Sequence, residues 1–149
     1  MPAWITETRR DVIARLRAAI AAADPDTPLD GLKLPANRWK RYTPQDMPGM
    51  FVRVARVRRQ GIGTNVPHFD FAADIEVHAA VAALELDAAQ LDDRLEAIFD
   101  AVDLVLLEDP VWVARFTSVT AADIEYDDAE GSDHYIRVGM VTYTVTVEQ

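Results

Sequence analysis

The chain has 149 residues, half of them apolar and 27% charged, with a formal net charge of −10 at pH 7. That length fits one domain with a sizeable core, and that composition predicts a folded globule rather than a disordered tail. The absence of cysteine excludes disulfides, thiolate metal sites and cysteine nucleophiles, and neither of the two serines, Ser118 and Ser132, stands in a G-x-S-x-G turn.

No apolar run approaches the ~18–20 residues of a membrane span, so no membrane partner is expected. The opening "MPAWITETRRDVIARL" places acids and arginines where a signal peptide keeps its apolar run, and predicts a soluble, unexported chain. Charge is unevenly spread. Residues 1–59 hold 12 of the 15 Lys+Arg and 6 of the 25 Asp+Glu, whereas residues 60–149 hold 3 and 19. Two arrangements satisfy such polarity: the basic part of one copy meets the acidic part of the next, or the two parts meet within one monomer. A general nucleic-acid binder is disfavoured, because such proteins need net positive charge against phosphates.

The first predicted element is a helix from Thr6 to Ala23, because Ile5, Val12, Ile13, Leu16, Ala19 and Ile20 recur at helical steps and share one stripe. Thr6 or Thr8 is placed to cap it, and Pro25 stops it. Residues 24–49 carry five prolines and two glycines and read as an irregular segment. Within it, "NRWKRYTPQDMPGM" is basic and aromatic. Trp39 and Arg41 there are candidates for gripping a protein partner, with a lid over the core as the other role for Trp39.

Next, Met50 to Arg58, "MFVRVARVR", is a β-rich run with interleaved arginines. Gly61-Ile62-Gly63 is followed by Val66 where a dinucleotide loop needs its third glycine, so it reads as a hairpin loop. In "HFDFAADIEVHAAV", Phe69, Phe71, Ala73, Ile75, Val77, Ala79 and Val81 alternate with His68, Asp70, Ala72, Asp74, Glu76, His78 and Ala80. Period-two alternation predicts a strand with one dry and one wet face. The two runs are expected to pair as a hairpin that sets Arg53, Arg56 and Arg58 across from the acids. Alternate residues on one strand face lie ~6.5–7 Å apart, so Asp74, Glu76 and His78 would close on a metal ion only with ligands from another strand. The wet-face reading is preferred.

Asp87 is placed to cap a second helix from Ala88 to Leu106, with Leu91, Leu95, Ile98, Phe99 and Val102 as its apolar stripe and Glu108-Asp109-Pro110 as its end. After it, "VWVARFTSVTAADIEY" reads as extended, with a parity change near Ala121-Ala122 that predicts a bulge. "DDAEGSD" is a turn, and "HYIRVGMVTYTVTVEQ" a long final strand pairing back on its predecessor. The order α-β-β-α-β-β predicts one α+β domain over residues 1–149: a mostly antiparallel four-stranded sheet with two helices packed on one face. The other face then needs water or a partner.

Several runs together carry a likeness: "TETRRDVIARLRAAI", "DMPGMFVRVARV", "FAADIEVHAAV", "LDAAQLDDRLEAIFDAV" and, most of all, "IEYDDAEGSDHYIRVGMVTYTVTVEQ". In these the chain resembles the phage minor tail protein U family, the tail terminators of lambda-like long-tailed phages. It departs from that family at residues 24–49, which are longer and richer in proline. The resemblance implies a structural virion protein rather than an enzyme. Such a protein forms a homohexameric ring that caps the tail tube, stops polymerisation of the major tail protein and presents the surface for a head-completion protein. DNA passes through its lumen without specific binding, and no cofactor is needed. A head-to-tail contact repeated around a ring closes without a sticky end, and complementary charge fixes its direction. On that reading Arg53, Arg56, Arg58, Trp39 and Arg41, with carboxylates among Asp70, Asp74, Glu76, Asp127, Asp128 and Glu130, are candidates for subunit contacts or the lumen. Mg2+ held between subunits by these acids is a further expectation. Rival readings are another tail or connector protein on a similar fold, a metal-dependent hydrolase using His68 and His78, and an acidic adaptor for a basic partner.

Overall fold

The computed structural model describes residues 3–35, 47–61, 69–83, 88–129 and 135–148. Helix α1 runs Ala3–Ala22, and its stripe Ile5, Val12, Ile13 and Leu16 is buried as the spacing requires. It starts a turn earlier than expected. The Thr8 hydroxyl donates to the Trp4 carbonyl at 2.6 Å, one turn back, so Thr8 lies inside the helix and caps nothing. Residues 24–35 form no helix or strand, as the prolines predict, but Leu29 and Leu32 are buried in the core. Lys33 then bridges to Gly49, with Met50 N–H donating to the Lys33 carbonyl at 2.8 Å.

Strands β1 (Gly49–Gly61) and β2 (Phe69–Ala83) form the expected antiparallel hairpin, each longer than predicted. Helix α2 spans Ala88–Leu106, as read from its periodicity. Its proposed cap, Asp87, lies outside the described residues. The stretch beyond α2 is not all extended. Asp109 accepts from the backbone N–H of Val111 at 3.0 Å and of Trp112 at 3.2 Å, and starts a short helix α3, Pro110–Val113. The Asp-Pro pair that ends one helix here opens the next, because proline fits a first turn whose N–H groups have no partner anyway. This turn drives Trp112 fully into the core, edge-on to Phe116.

The sheet has five strands instead of four, because the third predicted run divides into β3 (Ser118–Ala121) and β4 (Glu125–Ala129). Both lie antiparallel along the same side of β5 (Tyr135–Glu148), giving the order β1-β2-β5 with β3 and β4 beyond. Val119 faces Val145 and Tyr126 faces Gly139, so this side holds one more residue than β5 between those points. The parity change near Ala121-Ala122 is that extra residue.

The core lies between the sheet and the helices, where Val52, Ile75, Val77, Val141, Tyr143 and Val145 meet Leu16, Leu95, Phe99 and Val102. Both helices pack on this one face, and the α+β class stands. Two devices tie α2 to β5. The Tyr143 hydroxyl donates to the Asp103 carboxylate, and burial followed by that bond holds the phenol far above its ordinary pKa. Gly139 lies beneath Phe99: a Cβ there would stand 2.8 Å from the ring's Cε2, so only glycine admits the helix this closely. Among the described residues no helix is long and apolar enough to cross a membrane.

Candidate functional site

The face of the sheet away from the helices carries most of the residues singled out above. Regular alternation from Arg53 would send Arg56 and Arg58 to the opposite face. A bulge between Val54 and Arg56 adds one residue and reverses the parity. As a result Arg53, Arg56 and Arg58 stand in line, opposite Glu76, Asp74 and Ala72.

The next strand supplies hydroxyls. Thr142, Thr144 and Thr146 of β5 pair with Glu76, Asp74 and Ala72, and beyond them Thr120 and Ser118 pair with Thr144 and Thr146. These groups bond across the strands. Arg53 Nε donates to Glu76 Oε1 at 2.7 Å, Arg58 Nη2 to Asp74 Oδ1 at 2.8 Å, and Thr144 Oγ1 to the same Asp74 oxygen at 2.8 Å. His78 Nε2 lies 2.8 Å from Glu76 Oε1, and its ring stacks on Phe51 at 4.2 Å. Burial pushes the Glu76 carboxyl up, but the bonds from His78 and Arg53 outweigh it and hold the group below its ordinary pKa.

The expected wet face therefore needs correction. Asp70, Asp74, Glu76 and His78 are half-buried, and Ala72, Ala80, Phe51 and Ile136 on the same side are buried. β2 is a central strand, and long side chains from β1 and β5 lie over it. The within-monomer arrangement of charge holds for Arg53–Glu76 and Arg58–Asp74. Arg56 differs: it is exposed and, although opposite Asp74 in register, forms no ion pair among the described residues.

At the far side of the sheet, Glu125 and Asp127 pair in register with Met140 and Val138 and so share the outer face. Both are exposed, beside a shallow depression of about 460 Å3 that His78 and Met140 also line. Asp128 faces the helices. It accepts from Tyr135 and from Arg137 Nη1 at 3.0 Å, which holds its carboxyl below the usual range, while Arg137 Nε bonds Asp92 of α2 at 2.8 Å. Arg137, Glu125 and the threonine row were not singled out from sequence, although the alternation in "VTYTVTVE" carried the signal for the row. Trp39, Arg41, His68 and Glu130 lie outside the described residues.

Among the described residues no three His, Asp or Glu side chains gather as a metal ion requires. Among the described residues the outer face combines internal pairs, Arg53–Glu76 and Arg58–Asp74, with exposed charges, Arg56 at one edge and Glu125 and Asp127 at the other. Its chemistry suits recognition of charge along the strand edges. Comparison with known proteins finds no protein-family model that matches the chain and no curated protein similar to it.

Proposed function

We propose that this chain is a phage tail terminator of the kind its sequence resembles: identical copies form a ring that caps the tail tube, halts addition of the major tail protein and offers its other face to a head-completion protein. The observation that carries the reading is electrical polarity across the sheet. β1, at one edge, holds Arg53, Arg56, Arg58 and Arg59 and no acid. The stretch 118–129, at the other edge, holds Asp123, Glu125, Asp127 and Asp128 and no base. The helix layer repeats the trend. α1, with four arginines and two acids, packs on β1, whereas α2, with one arginine and five acids, packs on β2 and β5. A subunit with unlike ends favours head-to-tail contact, and such contact closes into a ring when the rotation between successive copies divides a full turn.

Negative-stain images and native mass spectra of concentrated protein test this reading. Six-fold rings are expected, and their addition to polymerising tube protein of the same particle should arrest tube growth. A chain that stays monomeric at every concentration, alone and with tube protein, would falsify the reading.

A further inference from the structure

We infer that neighbouring copies meet edge to edge, the β1 side of one subunit against the β3–β4 side of the next, with Arg53 and Arg56 set against Glu125 and Asp127. The inference rests on the ring reading above and names the surfaces that make it. Among the described residues, no strand lies outside β1 or outside β3 and β4. The beginning of the β1 edge is already used, by the Lys33 bridge at Gly49 and by Arg9, whose Nε donates to the Val52 carbonyl at 3.2 Å. The open stretch therefore starts at Arg53, where the arginines start.

Three features choose the occupant. Unpaired strand edges invite indiscriminate pairing, and charged side chains and bulges are the usual guards against it. β1 has both, so a second β1 edge would bring arginine against arginine and is rejected. The acidic edge would reject a copy of itself for the same reason. Of the two edges this chain offers, each therefore admits the unlike one, which a second copy supplies.

Height along the strands agrees. Arg53 is level with Glu76 and hence with Thr142, whereas Glu125 is level with Met140, two residues lower on the same outer face. Between edges brought side by side, that is a diagonal neighbour about 7–8 Å away, within reach of an arginine. The depression beside Glu125 and Asp127 gives the incoming guanidinium room to dock. Because the bulge interrupts the β1 ladder, side chains rather than a continuous main-chain ladder hold the junction.

Two charge-reversed proteins test the junction. One carries Arg53→Glu and Arg56→Glu, and the other carries Glu125→Lys and Asp127→Lys. Each alone should associate more weakly than the wild type by on the order of tenfold or more, because like charges now face each other. Mixed in equal amounts, they should recover rings in which the two kinds alternate, seen in native mass spectra as equal numbers of each. Arg56→Glu alone, which leaves the Arg53–Glu76 pair intact, should weaken association in the same direction while circular dichroism stays unchanged. If the wild type forms rings and neither reversed protein loses affinity, the junction lies elsewhere and the ring reading survives. Folded variants that fail singly and also fail when mixed overturn the pairing of these two edges. A wild type that never associates overturns both.

Discussion

Gly139→Ala is the most direct probe of how the helix layer sets the acidic edge. The new methyl would lie 2.8 Å from Phe99 Cε2, 3.5 Å from Ile124 Cγ2 and 3.6 Å from Leu95 Cδ1. Relief to an ordinary carbon–carbon separation of ~3.5–4.0 Å needs a shift of roughly 0.7–1.2 Å at the ring. Phe99 is 1% exposed and Leu95 fully buried, so a shift of the ring disturbs packed neighbours. Overpacking of this kind costs about 1–3 kcal/mol. Loss of glycine's freedom in the unfolded chain returns about 0.4–1 kcal/mol, leaving a net loss of roughly 1–2 kcal/mol. In a domain this size that lowers Tm by about 2–8 °C. Urea unfolding gives the free energy, and a cycle with Phe99→Leu gives the cause. In the Phe99→Leu background, Gly139→Ala should cost clearly less, because the clashing ring atom is gone. Equal or greater stability of Gly139→Ala, or the same cost in both backgrounds, would refute the packing argument. Tyr126 of β4 lies opposite Gly139, so the variant should also disturb the acidic edge and weaken ring formation.

Two further substitutions read the polar links. Tyr143→Phe deletes the bond to Asp103 and should cost about 1.5–3 kcal/mol by urea unfolding, as for hydrogen bonds to charged groups. Because the folded phenol is held above its ordinary value of 10.0, wild-type stability from this group is complete below pH 10.0 and falls as pH rises beyond it; Tyr143→Phe should lack that part of the alkaline loss. Glu76→Gln weakens the pair with Arg53, whose side chain is 45% exposed, so the expected loss is only about 0.2–1 kcal/mol. The depressed Glu76 group stabilises the fold above its ordinary value of 4.5 and loses that effect as pH falls through its lower folded value, so the gap between wild type and Glu76→Gln should close on acidification. A gap that stays constant from neutral pH to pH 3 would show that the charge of Glu76 contributes nothing.

Periodicity located the helices and long strands because burial on one face writes itself into spacing. Ile5, Val12, Leu16, Leu91, Leu95 and Ile98 all point inward as read. The parity change in residues 118–126 was visible for the same reason: two apolar stripes out of phase require an extra residue. Three things escaped. Asp109 reads as a helix end, yet its carboxylate also opens α3, and a local stop signal does not exclude a start. The bulge near Ala55 was hidden because valine, alanine and arginine all tolerate either face of an edge strand. The polar face of β2 looked wet because alternation records side-chain polarity, whereas coverage by arginines from β1 and threonines from β5 depends on which strands are neighbours.

The bulge links these local facts to the proposed assembly. One added residue turns three arginines to the same face, where Arg53 bonds Glu76 yet keeps its side chain 45% exposed, Arg58 bonds Asp74, and Arg56 forms no ion pair among the described residues. On the far edge Arg137 and Tyr135 hold Asp128, while Glu125 and Asp127 stay exposed. Internal pairing thus uses part of each charge row and leaves a remainder of opposite sign on each edge. When those remainders meet around a ring they neutralise each other, and neutralisation at the junctions does not alter the −10 carried by each copy. The excess acid must then lie on surfaces other than the junctions, including the α2 side with Asp93, Glu96 and Asp100. If the proposed ring forms, closure by unlike edges would leave it strongly anionic as a whole, which would disfavour lasting attachment of the phosphates of any DNA passing through it.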